Sequence, residues 1–268
     1  MKLIMLGTGN ALTTECYNTS FILQNKTDYF LVDGGGGNTI LRQLKYSGIN
    51  WKDIKNIFVT HKHIDHITGI IWLIRMICQY SNQNEYEGEA KIYAHSELIK
   101  IIDNISRMLL NKKEISFIGE KVHLVPVEDK ETVNIINHNI TFFDIGSKKA
   151  RQFGFSLDLL NGKKFICCGD EPYNDAIKDF VQNSTWLMHE AFCLYSEADI
   201  FKPYEKHHST VKDACKIASE LNVENLILYH TEDKNIKERK NLYIKEGAKY
   251  FKGNLYVPND LEHIILTR

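Results

Sequence analysis

The sequence contains no apolar run near the roughly 20 residues that a helix needs to cross a bilayer, so its pattern does not indicate a membrane protein. Its first residues, MKLIMLGTGNA, have the pattern of a strand and a turn rather than of a signal peptide. The six cysteines include no CxxC pair, and the adjacent Cys167 and Cys168 lie inside an apolar, strand-like run. We therefore expect reduced thiols and a cytoplasmic protein that binds no membrane.

The sequence also lacks an excess of one charge. Lys and Arg together number 33 against 34 for Asp and Glu, which gives a net charge of −1. This balance provides no general attraction to nucleic acid or to an anionic membrane. The chain does have 268 residues, 43% of them hydrophobic, and these can form a sizeable core. Because no linker or low-complexity tract divides it, we expect a single domain over residues 1–268.

Predicted strands and helices alternate along the chain. IKNIFVT has the apolar character of a buried strand, and NTILRQLKYSGI before it has helical spacing. Asn161-Gly162 predicts a hairpin with a type I′ turn, because both residues accept positive φ angles. The final residues through LEHIILT predict a last pair of strands. Each half of the chain runs from strands to helices, which predicts an α/β sandwich of two mixed β-sheets with helices outside.

Three histidines and a carboxylate fall within the stretch THKHIDH, at His61, His63, Asp65 and His66. His61 and His63 are two residues apart, so an extended backbone points both to the same side. Asp65 and His66 follow the strand end, where a turn can direct them to a second point. Unpaired polar groups of this kind are costly to bury, whereas imidazole and carboxylate together suit Zn²⁺, or Mn²⁺ and Fe²⁺. The stretch therefore predicts a metal site at the carboxyl end of a strand.

The stretch HKHIDH resembles the HxHxDH signature of the metallo-β-lactamase superfamily, and further motifs resemble its ribonuclease Z-like branch. These motifs, in chain order, are GTGNA, NTSFILQ, LVDGGGGN, CCGDEP, LMHEAF, HHST and LILYHT. Each match is short, but their order and spacing agree with that branch over most of the chain. The resemblance implies the metallo-β-lactamase fold, a four-layer αββα sandwich of two mixed β-sheets.

The resemblance also implies two divalent metal ions, with zinc expected and manganese or iron as alternatives. The first ion would take His61, His63 and a bridging Asp170. The second would take Asp65, His66 and His230 together with Asp170. The residue pattern agrees, because Asp170 and His230 each follow an apolar strand.

One histidine of the family pattern is missing. The family has a further ligand to the first metal shortly before a segment like QFGFSL, but this chain has no histidine between His138 and His189. Gly146, Ser147 or Lys148 stands at the corresponding place. Three other histidines would replace it only if the alignment shifted: His95, His123 and His138. We therefore expect the first ion to bind more weakly than the second.

The predicted centre implies a hydrolase. Two divalent ions would provide a hydroxide by lowering the pKa of water, and Asp65 would orient it. In ribonuclease Z-like enzymes, the residues that match His208 and Glu190 act on the leaving-group side. His208 would protonate the leaving oxygen, and Glu190 would orient its imidazole. His208 and Glu190 also have structural interpretations, since Ser209-Thr210 would cap the following helix and a carboxylate can belong to a strand-end network.

The substrate is predicted to be a small phosphodiester. The tRNA-processing members carry a long arm before the bridging-aspartate motif, whereas this chain has only the Asn161-Gly162 hairpin there. A homodimer is compatible with the sequence, but the second copy would lack the arm too. We favour a phosphodiesterase for small, for example cyclic, substrates over an enzyme for RNA. The alternatives are a tRNA 3′-processing endoribonuclease, a thioester or lactone hydrolase, and a metal-binding member with weak or no catalysis.

Overall fold

The computed structural model describes residues 1–267. The strands, in chain order, are β1 (Lys2–Gly7), β2 (Ser20–Asn25), β3 (Asp28–Val32), β4 (Asn56–Phe58), β5 (Ala90–His95), β6 (Val122–Val127), β7 (Thr132–Ile135), β8 (His138–Asp144), β9 (Phe153–Asp158), β10 (Lys164–Cys167), β11 (Trp186–Glu190), β12 (Asn225–Tyr229), β13 (Asn254–Tyr256) and β14 (His263–Ile265). They form two seven-stranded sheets, ordered β14-β1-β2-β3-β4-β5-β6 and β13-β12-β11-β10-β9-β8-β7. Both sheets are mixed, with antiparallel and parallel neighbours.

Helices cover the outer face of each sheet. They are α1 (Thr39–Tyr46), α2 (Ile64–Asn82), α3 (Ser96–Leu109), α4 (Lys112–Ile115), α5 (Lys178–Val181), α6 (Ala198–Phe201), α7 (Val211–Glu220) and α8 (Arg239–Gly247). Apolar residues of α1 and α2 pack on the first sheet, and those of α7 pack on the second. The predicted αββα sandwich is confirmed. Within residues 1–267, no helix combines the length and the apolar character needed to cross a membrane.

The core between the sheets is rich in phenylalanine. Phe155 of β9 meets Phe30 of β3 and Phe58 of β4 edge to face, with ring centroids 5.6 and 5.7 Å apart. Alternation along the strands explains this layering, because successive side chains point to opposite faces. In β1, for example, Leu3 and Met5 enter the core between the sheets, whereas Ile4 and Leu6 face the helices. The aromatic contacts fix the distance between the two sheets.

The hairpin prediction is confirmed, and the prediction for the last strands is wrong in one respect. Residues 159–163 join β9 to β10, and both Asn161 and Gly162 have positive φ angles, 61° and 71°. The two last strands do not pair with each other. Strand β13 pairs with β12, whereas β14 crosses to the other sheet and pairs with β1. Each strand has only three residues, NLY in β13 and HII in β14, so its sequence carries no information about which sheet edge it completes.

Helix α2 makes close backbone contact with the loop after β3, through Gly69 of the helix and Gly34 and Gly35 of the loop. The amide of Gly69 donates to the carbonyl of Gly35 at 3.0 Å, and the amide of Gly34 donates to the carbonyl of His66 at 2.9 Å. A Cβ atom on Gly69 would lie 1.8 Å from the carbonyl oxygen of Gly34. A side chain there would therefore force the first turn of α2, which contains Asp65 and His66, away from the sheet.

We expect Gly69→Ala to lower the free energy of unfolding by about 1–3 kcal/mol, the usual effect of overpacking a tight contact. Alanine favours helix by about 1 kcal/mol over glycine, so a site with free space would become more stable instead. Urea denaturation distinguishes these outcomes. Lys100→Ala, at an exposed position of α3, is the control and should change stability by less than about 0.5 kcal/mol. A Gly69→Ala protein as stable as the wild type, or more stable, would contradict this description of the contact.

Candidate metal centre and catalytic site

The HKHIDH stretch lies between the end of β4 and the first turn of α2. His63 is the N-cap residue of α2, and Asp65 and His66 belong to its first turn. The ring nitrogens His61 Nε2 and His63 Nδ1 lie 2.7 Å apart, as expected for two side chains directed to one point. Asp65 and His66 are directed to a second point by the helix turn, as their spacing predicted.

Two groups of possible metal ligands result. His61, His63 and Asp170 form one group, and Asp65, His66 and His230 form the other; within each group the ligand atoms lie within 4.8 Å of one another. The sequence prediction placed these same six side chains in two clusters. Asp170 comes from the loop after β10, and His230 follows β12 directly.

Asp170 lies between the two groups. Its Oδ2 atom is 3.5 Å from His61 Nε2, 3.6 Å from His66 Nε2 and 3.5 Å from His230 Nε2. Its other oxygen, Oδ1, accepts a hydrogen bond from Gln152 Nε2 at 2.8 Å. One carboxylate oxygen therefore faces both groups, while the other is fixed by the protein.

In His61, His66 and His230, the ring nitrogen that points away from Asp170, Nδ1, contacts a residue that the sequence analysis did not assign to the site. Such partners orient ligand rings and set which nitrogen is free. The bonds are His61 Nδ1 with Thr60 Oγ1 at 2.9 Å, His66 Nδ1 with Asp33 Oδ2 at 2.7 Å, and His230 Nδ1 with Thr19 Oγ1 at 2.8 Å. Thr60 adjoins His61, whereas Thr19 and Asp33 lie in the motifs NTSFILQ and LVDGGGGN, far in sequence from the histidines that they contact.

The donor set fits divalent cations. His66 Nε2 is buried without a hydrogen-bond partner, although it faces the carboxylates of Asp65 and Asp170. Burial lowers the pKa of His61 well below its usual value and that of His230 to about 4. His66 differs, because the carboxylates of Asp65 and Asp33 outweigh its burial and raise its pKa well above the usual value; a metal ion would replace the proton there. Burial opposes ionisation of Asp170 as well, but the surrounding histidines outweigh it and the pKa of the carboxyl falls. Neutral imidazole and ionised carboxylate are the forms that bind metal.

Glu190 and His208 lie beside this centre as the motifs predicted. Glu190 ends β11 and is fully buried, and one of its oxygens accepts from the amide of Ser209. Its Oε2 atom lies 3.6 Å from His208 Nδ1. The ring of Phe192 stacks on the imidazole, with centroids 4.8 Å apart and an angle of 10° between the planes. Thr210 caps α7 through its hydroxyl, which agrees with the structural interpretation of this segment.

Just past the place where the family pattern has a further histidine, this chain places a lysine, Lys149, near the candidate metal centre. Gly146 has a φ of 69°, and Lys148 is exposed. Ser147 donates its hydroxyl to Glu171 Oε1 at 2.6 Å. Lys149, which the sequence analysis passed over, reaches the centre and places Nζ 3.4 Å from His208 Nε2.

The three histidines considered as replacements have other partners. His138 Nδ1 lies 2.7 Å from the carbonyl oxygen of Asp158, and His95 Nε2 lies 3.1 Å from that of Arg151. His123 pairs with Glu89 at 2.9 Å. Neither candidate group includes any of the three.

A cavity of about 320 Å³ opens over the centre. Its lining includes possible metal ligands, two lysines, His208 and apolar side chains, namely Asn10, Ala11, Leu12, His63, Ile64, Asp65, Lys149, Asp170, Phe192, Lys206, His208 and His230. Leu12 and Ile64 are 80% and 72% exposed, so the rim presents apolar surface to a ligand.

Comparisons with known proteins agree with this geometry. The family described as "Anti-Pycsar protein Apyc1" matches residues 1–251. A ribonuclease Z of Nanoarchaeum equitans is 27% identical over 97% of this chain and 92% of its own length. The metallo-β-lactamase fold protein YhfI of Bacillus subtilis superposes with a TM-score of 0.77 at 17% identity, covering 98% of both chains.

A zinc-bound neighbour shares the fold as well. PqqB of Methylobacterium extorquens, solved with Zn²⁺, has a TM-score of 0.75 at 11% identity and covers 99% of this chain and 100% of its own. At such identities the structural matches establish the fold alone, whereas the family match covers most of the chain. The chain therefore belongs to the family of the anti-Pycsar protein Apyc1, as a ribonuclease Z-like metallo-hydrolase of the metallo-β-lactamase superfamily.

Proposed function

We propose that this protein is a phosphodiesterase that uses two divalent metal ions and acts on small phosphodiesters, cyclic ones among them. One observation carries the proposal: a single buried carboxylate, Asp170, faces both candidate ligand groups. The same cavity also contains His208, which Glu190 approaches from behind. This combination supplies both a place for the nucleophile and a possible proton donor for the leaving group.

His61, His63 and Asp170 would bind the first ion, and Asp65, His66, His230 and Asp170 the second. Zinc suits these ligands, and manganese or iron would also be accepted. When bound, such ions lower the pKa of a coordinated water toward neutrality and neutralise negative charge that develops on the phosphoryl group. With Asp170 shared, the first ion would have three protein ligands and the second four, and His63 of the first group is half-exposed. Both features support weaker binding at the first position.

The remaining roles, which are to orient the nucleophile and to protonate the leaving group, fall to side chains of the protein. Asp65 would accept a hydrogen bond from the nucleophile and orient it toward phosphorus. His208 presents Nε2 to the cavity, so this nitrogen would give its proton to the leaving oxygen. Glu190 Oε2 lies 3.6 Å from Nδ1 and would orient the ring. The stacked ring of Phe192 restricts rotation of the imidazole and excludes water from that side.

A small substrate is favoured over tRNA on three grounds. The cavity of about 320 Å³ lies at the small end of the usual range for ligand pockets, roughly 300–1,000 Å³. Residues 159–163 form a tight turn at the place where a tRNA-binding arm would be inserted. The net charge of −1 gives no broad cationic surface for a polyanion. A related ribonuclease Z at 27% identity keeps tRNA processing as the second candidate.

The direct test is hydrolysis of bis(p-nitrophenyl) phosphate with Zn²⁺, with Mn²⁺ and without metal, beside a thioester, a chromogenic β-lactam and a precursor tRNA. We expect metal-dependent cleavage of the phosphodiester. Asp170→Ala should abolish it and reduce metal content at both positions, because one carboxylate serves both groups. Asp158→Ala, an exposed carboxylate at the end of β9, is the control. Faster turnover of the thioester or lactam would refute the phosphodiesterase assignment, and full two-metal content in Asp170→Ala would refute the bridging role.

The proton donor can be tested through the leaving group. His208→Ala should reduce turnover of esters with poor alkoxide leaving groups by about 10²–10⁴-fold. It should affect p-nitrophenyl esters far less, because p-nitrophenolate leaves without protonation. His207→Asn is the neighbouring control, since asparagine tolerates the φ of 54° at that position. Equal losses on both kinds of ester, with metal content unchanged, would exclude His208 as the acid.

A further inference from the structure

We propose that Lys149 is a substrate-binding residue that makes this site selective for an anionic phosphoryl group. The inference rests on the proposed phosphodiesterase function and deepens it. Lys149 directly follows Gly146, Ser147 and Lys148, at one of which the ribonuclease Z-like pattern has a metal-binding histidine. Just past that place, this chain presents the ammonium group of Lys149 to the cavity.

The loop that carries Lys149 is fixed to the segment that carries Asp170. The backbone amides of Lys149 and Ala150 both donate to Ser147 Oγ at 3.2 Å, and this hydroxyl donates to Glu171 at 2.6 Å. Glu171 is buried and follows Asp170 directly in the chain. A second tie joins the Asn174 side chain to the carbonyl oxygen of Ile145. The position of the Lys149 backbone is therefore coupled to that of the central carboxylate.

The ammonium group of Lys149 contacts the imidazole of His208, and this contact does not neutralise its charge. Lysine has three N–H donors and no acceptor, so Nζ donates to His208 Nε2, 3.4 Å away. The neighbouring Arg151 instead pairs with the carboxylate of Asp144 at 3.2 Å. Within residues 1–267, the ion pairs of 4.0 Å or less do not include Lys149. Its charge is therefore available to a ligand in the cavity.

A phosphodiester anion meets the requirements of this arrangement. An anionic oxygen is a stronger acceptor than imidazole, so the Lys149 hydrogen bond would move from His208 to a phosphoryl oxygen when substrate binds. Lys206 lines the same cavity and adds a second cation.

The test uses the metal-loaded enzyme, inorganic phosphate as the binding probe and bis(p-nitrophenyl) phosphate as substrate. Lys149→Met removes the charge at similar length, and Lys149→Arg keeps it. Lys148→Met is the matched control, an exposed lysine one residue away. Calorimetry should show phosphate binding about tenfold or more weaker in Lys149→Met, mostly restored in Lys149→Arg and unchanged in Lys148→Met. KM for the diester should rise in parallel, with metal content and melting temperature equal to wild type.

The binding measurement and the hydrolysis measurement test the role of Lys149 and the proposed function separately. Phosphate affinity and KM within twofold of wild type in Lys149→Met would overturn the role of Lys149, even if the enzyme cleaves phosphodiesters. Loss of metal in Lys149→Met would also overturn it, because the residue would then act through the metal centre. A wild-type protein that binds phosphate through Lys149 but cleaves no phosphodiester would refute the proposed function and leave the anion site established.

Discussion

The ionised carboxylate of Asp170, buried among three imidazoles, is the constraint on which the rest of the site depends. Its Oδ2 atom approaches ring nitrogens from His61, His66 and His230, all within 3.6 Å. A charge is expensive to bury unless it is paired, and these neighbours lower the pKa of the carboxyl despite its burial. Any change that separates the segments carrying these side chains therefore removes the compensation that keeps Asp170 charged.

The sandwich brings these segments to one edge. Asp33 and the HKHIDH stretch follow β3 and β4 of the first sheet, whereas Asp170 and His230 follow β10 and β12 of the second. Parallel pairing within each sheet aligns the strand ends, and the aromatic core sets the distance between the sheets. Backbone bonds then join the two edges, as where the amide of Phe153 donates to the carbonyl of Thr60 at 3.1 Å. The site is thus a product of the whole fold.

Hydrogen bonds and backbone conformation both orient the side chains at this edge. Hydroxyl and carboxylate groups from Thr19, Thr60 and Asp33 fix the rings from behind, so each central imidazole keeps one nitrogen for the centre. Strained backbone adds to this at His230, whose φ is 55° although it is not a glycine. Such conformations persist where surrounding contacts enforce them, and they concentrate at functional positions.

The sequence allowed the layers and the six possible ligands to be predicted, because both leave local patterns. Alternation predicts strands, close spacing reveals HKHIDH, and strand-end positions support Asp170 and His230. Thr19 and Asp33 lie in the motifs NTSFILQ and LVDGGGGN, but their bonds to His230 and His66 were missed because these partners are far away in the chain. Lys149 was missed because loop lysines are ordinarily solvated, and only the folded loop brings its ammonium beside His208. The placement of β13 and β14 in different sheets was missed because it depends on partners that are distant in the chain.

Locating the metal in crystals of the zinc-loaded protein, by anomalous scattering at the zinc edge, tests the central claim most directly. We predict two peaks about 3.5–4 Å apart. One should lie among His61, His63 and Asp170, and the other among Asp65, His66, His230 and Asp170, with lower occupancy at the first. The account would be contradicted by a single peak or by zinc bound away from Asp170. It would also be contradicted by equal occupancy of the two positions together with a fourth protein ligand at the first.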